Sequence, residues 1–139
     1  MLKTIFGFGG KSQLKNQPKK ILVVEDDSLL SKVLAESLKN EGFEVMVVDN
    51  GNDVMAVAAK FSPQLVLLDL VIPGIDGFAV LKELKGDDKT KAIPVIVLSN
   101  LDEIGDVKSV KALGAEEYFI KANTEMKRII DYIKKLLKI

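Results

Sequence analysis

The chain has 139 residues, 47% hydrophobic, 29% charged and 6% aromatic, the size and make-up of one globular domain with an apolar core, which argues against wholesale disorder and multidomain machinery. It holds no cysteine and no histidine, which removes disulfides, thiol catalysis, Cys/His zinc sites and imidazole acid–base chemistry, so reactive groups must be carboxylates, hydroxyls or lysines. The formal net charge is zero, from 20 basic and 20 acidic side chains, which argues against a nucleic-acid binder steered by its overall field, and no direct DNA binding is expected.

Neutrality hides an uneven distribution. Lys3, Lys11, Lys15, Lys19 and Lys20 give the first 20 residues a charge of +5 with no acid, leaving 15 basic against 20 acidic side chains, or −5, on the remaining 119. Gly7, Gly9, Gly10 and Pro18, with no sustained period around them, predict a flexible basic tail over residues 1–18 and a domain over 19–139. Leu2, Ile5, Phe6 and Phe8 beside the lysines offer a sharper alternative, contact with a membrane surface or a partner protein, although three glycines weaken any amphipathic helix there. A nucleic-acid arm is a third possibility. No apolar run approaches the roughly 18 residues of a spanning helix, and the first apolar stretch is too short for a secretory signal. A cytoplasmic location is expected.

From Lys19 onward, runs of strand length alternate with segments of helical period. The run Ile21 to Val24 is followed by Leu29, Leu30, Val33, Leu34 and Leu38 on one helical face, stopping at Asn40 to Gly42. Phe43 to Val48 leads to Val54, Val57, Ala58 and Phe61, closed by Pro63. Leu65 to Leu68 leads to Phe78, Leu81 and Leu84, ended by Gly86. Pro94 to Leu98 leads to Ile104, Val107 and Leu113, the weakest face, because Gly105 in its first turn costs about 1 kcal/mol against alanine. Glu117 to Ile120 leads to the strongest, Met126, Ile129, Ile130, Ile133, Leu136 and Leu137. Five strand–helix units in strict alternation predict an α/β fold, a doubly wound five-stranded parallel sheet with five helices and right-handed crossovers. The runs are apolar throughout, as expected where both sheet faces are covered.

Ligands in such folds bind beyond the carboxyl ends of the strands. The first strand ends in Glu25, Asp26 and Asp27, the third in Asp69, the fourth in Ser99 and the fifth in Lys121. Three carboxylates on one rim repel one another unless a cation neutralises them, and a hard divalent ion such as Mg²⁺ suits oxygen ligands. Asp27 or Ser28 is read instead as the N-cap of the first helix.

At these positions the sequence resembles the receiver domains of bacterial two-component response regulators. The matching stretches are Ile21 to Asp27 (ILVVEDD), Leu65 to Phe78 (LVLLDLVIPGIDGF), Ile93 to Asn100 (IPVIVLSN) and Ala115 to Lys121 (AEEYFIK). The resemblance covers roughly residues 19 to 138. It implies the flavodoxin-like strand order 2-1-3-4-5. It also implies that Asp69 is the phosphoacceptor, that Glu25, Asp26, Asp69 and the backbone carbonyl of Val71 hold Mg²⁺, and that Ser99 and Lys121 contact the phosphoryl group. Tyr118 stands at the family's switch aromatic. The chain would then catalyse its own aspartyl phosphorylation and dephosphorylation without being a conventional enzyme. The phosphodonor would be a phosphohistidine on a histidine kinase or a histidine phosphotransfer protein. The signal would pass to a downstream output protein through the face of the fourth helix, fifth strand and fifth helix, from a monomer or a weak dimer formed on phosphorylation.

Two departures stand out. Ala122 follows Lys121 where the family usually has a proline in a cis bond, which implies a trans bond and a slightly different placement of Lys121. Asn100 follows Ser99 where a small residue is common; its amide is read as contacting the phosphoryl site or capping the next turn. Val71 and Leu101 are apolar where family members that lose phosphate quickly carry polar side chains, which implies a long-lived acyl phosphate. The chain ends with the fifth helix, so a stand-alone receiver is expected. Of the competing readings, a haloacid-dehalogenase-like phosphatase needs an acid where Val71 stands. Flavodoxin-like cofactor binding lacks a phosphate-cradling loop after the first strand. A degenerate receiver acting as a phosphorylation-independent docking module is the remaining rival.

Overall fold

Residues 17–100 and 104–139 are described by the structure, a computed structural model. The basic tail and Leu101 therefore lie largely or wholly outside the described residues. In chain order the elements are β1 (Lys20–Val24), α1 (Ser28–Asn40), β2 (Glu44–Val48), α2 (Val54–Phe61), β3 (Leu65–Leu68), α3 (Gly77–Gly86), β4 (Val95–Ser99), α4 (Ile104–Ala112), β5 (Glu117–Ile120) and α5 (Met126–Leu137), with a turn of 3-10 helix at Lys121–Asn123. The strands form one parallel sheet in the order β2-β1-β3-β4-β5, as expected. The chain reverses its direction of travel at β1, which lies between β2 and β3, so the crevice for a ligand opens above the β1 and β3 ends.

Alternation along the strands feeds two separate apolar layers. Leu22, Val24, Val66, Leu68, Val95 and Val97 pack with α2, α3 and α4, through Val54, Ala58, Val80, Leu81, Leu84 and Val110. Ile21, Val23, Leu65, Leu67, Ile96 and Leu98 pack with Leu34 and Leu38 of α1 and Ile129 and Ile133 of α5. β1, β3 and β4 are buried on both faces, which is why they read as unbroken apolar runs. β2 departs from that expectation: Met46 and Val47 are exposed on this edge strand, where the covering helices reach only part of the surface.

The sequence also overstates the buried face of α1. Its buried residues are Ser31, Leu34, Ala35 and Leu38, while Leu29 is 73% and Val33 45% exposed. At 3.6 residues per turn, those two fall on the side opposite the buried stripe. The cap of α1 is Asp27, whose Oδ1 accepts the Leu29 and Leu30 N–H groups at 3.0 and 3.1 Å; Ser28 is already helical. Among the described residues no helix is long and apolar enough to cross a membrane.

Candidate functional site

The strand registers bring the predicted residues to one rim. Val24 pairs with both Val48 and Leu68, so Glu25 and Asp69 are each the first residue past the ladder on adjacent strands. Backbone bonds hold both there: Glu25 N–H donates to the Val48 carbonyl and Asp69 N–H to the Val24 carbonyl, each at 3.0 Å. Both side chains are sunk into the rim, with 3% and 6% of their surfaces exposed. Carboxylate oxygens of Glu25, Asp26 and Asp69 lie within 4.8 Å of one another, Asp26 on the exposed side.

Lys121 supplies the local counter-charge. It leaves the end of β5, crosses β4 and places Nζ 2.7 Å from Asp69 Oδ2 and 2.5 Å from Glu25 Oε1, with 15% of its side chain exposed. Burial works against the ammonium, but hydrogen bonds to Asp69 and Glu25 outweigh it and hold the Lys121 pKa above the ordinary lysine value. Burial raises the Glu25 carboxyl above its usual range, and nearby Asp69 adds to this, against the pull of Lys121 and of the Asp27 N–H at 3.1 Å from Oε2. Asp69 Oδ1 accepts the Val71 N–H at 3.2 Å, closing a tight turn that leaves the Val71 side chain exposed.

Ser99 is fully buried at the end of β4, and its Oγ has no hydrogen-bond partner among the described residues. A buried hydroxyl left unpaired costs about 1–3 kcal/mol, a cost that an oxygen-rich ligand in the crevice would relieve. Tyr118 lies buried in the layer beneath α4, opposite Val97 in the sheet. The structure thus brings together Glu25, Asp26, Asp69 and Lys121 by direct proximity, and places Ser99, Val71 and Tyr118 on the elements around them.

The acidic group fits a divalent ion. An octahedral Mg²⁺ with ligands at about 2.1 Å holds opposite oxygens about 4.2 Å apart, so the three carboxylates need only a small contraction to meet it. Their open side adjoins a cleft of about 430 Å³ that Asp49 and Asp53 also line.

Two contributors escaped the sequence reading. Gly77 begins α3 hard against the strand end, its N–H donating to the Leu70 carbonyl at 3.0 Å. A Cβ there would lie 2.3 Å from Leu70 Cα and 2.6 Å from the Asp69 carbonyl oxygen. The Asp76–Gly77 pair is the signal that could have found it. Asn100 Oδ1 accepts the Ala122 N–H at 3.0 Å, a contact that the reading of its amide as a phosphoryl ligand or a cap did not include. Among the described residues no peptide bond is cis, so Lys121–Ala122 is trans, as Ala122 led us to expect.

The response regulator receiver domain family matches residues 21–134. Protein PilH of Pseudomonas aeruginosa is 36% identical over 102 residues, covering 73% of this chain and 84% of PilH. The probable transcriptional regulator ycf27 of Pyropia yezoensis is 36% identical over 108 residues, 78% of this chain, and the chain spans only 43% of that relative's length. Among solved structures, the Mn²⁺-bound form of response regulator Rcp1 superposes with a TM-score of 0.74 at 31% identity, covering 84% of this chain and 92% of that one.

Proposed function

Since the chain belongs to the response regulator receiver domain family of two-component systems, we propose that it accepts a phosphoryl group onto Asp69 from a phosphohistidine on a histidine kinase or phosphotransfer protein. The observation that carries this reading is the Lys121 ammonium shared between the sunken carboxylates of Asp69 and Glu25. An Asp69 oxygen attacks phosphorus, the P–N bond breaks as the O–P bond forms, and the imidazole leaves to take a proton from water. Hydrolysis of the acyl phosphate returns the carboxylate and releases orthophosphate. Glu25, Asp26, Asp69 and the Val71 carbonyl would hold Mg²⁺, which when bound neutralises charge on the transferring group; the Mn²⁺-bound relative supports a divalent ion here.

Lys121 and the unpartnered Ser99 hydroxyl are the groups this chain offers to the new phosphoryl oxygens. Drawing Ser99 toward that charge moves the end of β4 and frees space for Tyr118 beneath α4. The surface formed by α4, β5 and α5 then carries the signal to an output protein.

The test uses the protein with Mg²⁺ and acetyl phosphate or phosphoramidate. Mass spectrometry is expected to show a gain of one phosphoryl group that disappears in Asp69→Ala. No gain with either donor rejects the reading in favour of a phosphorylation-independent docking module, and a gain surviving the substitution rejects Asp69 as the acceptor. A second measurement concerns lifetime. Val71 offers no polar group to orient an attacking water, so the acyl phosphate should persist, and Val71→Asn should shorten its half-life severalfold. Rapid wild-type decay unchanged by the substitution would refute that.

A further inference from the structure

The last paired residues of β4 and β5 are Ser99 and Ile120. Beyond them the strands part, Asn100 leading toward α4 and Lys121 into the 3-10 turn. Among the described residues one hydrogen bond still joins the two sides. Ala122 N–H donates to Asn100 Oδ1 at 3.0 Å, so a side-chain oxygen adds a rung where the backbone ladder has ended. On the near side of Lys121, Thr124 Oγ1 donates to the Ile120 carbonyl at 2.8 Å. The lysine therefore sits between two tethered backbone groups.

We propose that Asn100 is a positioning residue, whose bond to Ala122 N–H fixes the turn bearing Lys121 against the strand end bearing Ser99. Proline at 122 would have no N–H to give and would fix φ with its ring; alanine leaves φ free and supplies the donor that Asn100 takes. The constraint matters because Lys121 must cross β4, with strands about 4.8 Å apart, on a flexible four-carbon stem. A small tilt of its backbone is magnified at Nζ, and a 1 Å misplacement in a reacting site can slow reaction by about 10²-fold. Asn100 also directly follows Ser99, so the same bond passes any movement of Ser99 to the lysine turn. This inference rests on the phosphoacceptor reading above.

Five measurements on Asn100→Ala, Ala122→Pro and the double variant, thermal stability among them, test it. In the unphosphorylated, metal-free protein, Asn100→Ala should speed hydrogen exchange at the Ala122 amide by tenfold or more, with core amides such as Val97 unchanged. Phosphoryl uptake from phosphoramidate at saturating Mg²⁺ should slow about tenfold. The Mg²⁺ midpoint, read from amide chemical shifts, should stay within twofold, because among the described residues Asn100 bonds to Ala122 N–H and to none of the three carboxylates. In the Ala122→Pro background, where the donor is absent, Asn100→Ala should change uptake less than twofold. Unchanged Ala122 exchange, full-rate uptake in Asn100→Ala, or a loss of uptake matched by equal losses of Mg²⁺ affinity and thermal stability each overturns the proposal. So does an undiminished further loss in the double variant. Failure of the wild type to take up any phosphoryl group rejects the phosphoacceptor reading; the exchange measurement, made without donor, still decides whether Asn100 holds the Ala122 amide, so the two failures are distinguishable. If Ala122→Pro does not fold, the exchange, uptake and Mg²⁺ results on Asn100→Ala decide alone.

Discussion

Lys121→Met is expected to slow phosphoryl uptake by 10²-fold or more and, in EDTA at pH 8, to destabilise the fold by about 2 kcal/mol. Breaking a buried ion pair by removing one partner costs about 3–5 kcal/mol; the partial exposure of the rim and the option of protonating a carboxyl reduce that here. The sign of the pH dependence follows from Glu25, whose pKa is already raised by burial and rises further without the ammonium. An acid with a raised folded-state pKa favours folding while it stays protonated and loses that stability as pH climbs through the folded value. The variant should therefore be closer to wild type at pH 5.5 than at pH 8, and Mg²⁺ should recover much of the deficit at pH 8 by restoring positive charge. Urea unfolding at both pH values, with and without Mg²⁺, checks this; a deficit independent of pH and metal would show that Lys121 acts through packing alone. The vulnerability has a topological origin. Glu25, Asp69 and Ser99 end interior strands, whereas the cation comes from β5, bonded only to β4.

Gly77→Ala is expected to cost about 3 kcal/mol of stability and to depress uptake as well. The atoms its Cβ would meet are Leu70 Cα at 2.3 Å, the Asp69 carbonyl oxygen at 2.6 Å and the Leu70 carbonyl oxygen at 2.8 Å. All are backbone, so no rotamer change relieves the overlap, and overpacking of this kind typically costs about 1–3 kcal/mol. Either α3 retreats from the sheet or the strand end carrying Asp69 is pushed aside. Gly86, at the other end of the same helix, is the control: a Cβ there meets nothing within 4 Å, and Gly86→Ala should be neutral or stabilising by up to about 1 kcal/mol. Thermal denaturation of both variants measures the difference; equal midpoints would dismiss the close approach as unimportant.

The strands and the rim were legible because both depend on short sequence patterns. Apolar runs that stop at Glu25, Asp69, Ser99 and Lys121 say where each strand ends, and a parallel sheet aligns those ends without further information. Leu29 and Val33 misled because counting apolar residues on a helix does not reveal which side faces the sheet; Ser31 and Ala35 complete the buried stripe instead. Met46 and Val47 misled for a related reason, since an edge strand and an interior strand share the same composition. Gly77 and Asn100 were harder still. Their roles rest on approaches to Leu70 and Ala122, contacts created by tertiary packing; the Asp76–Gly77 pair marks a break in the chain but not the backbone that Gly77 meets.

The sheet splits the apolar interior into two chambers that share strands but not side chains. Neighbours such as Tyr118 and Phe119 enter opposite chambers. Truncations placed one on each side, for example Val110→Ala with Ile133→Ala, should therefore give free-energy losses that sum, whereas pairs within a chamber should couple. The interior beneath α4 can in consequence be remodelled by substitution while the layer beneath α1 and α5 retains its own packing, so change on one side of the sheet leaves the other side of the scaffold intact.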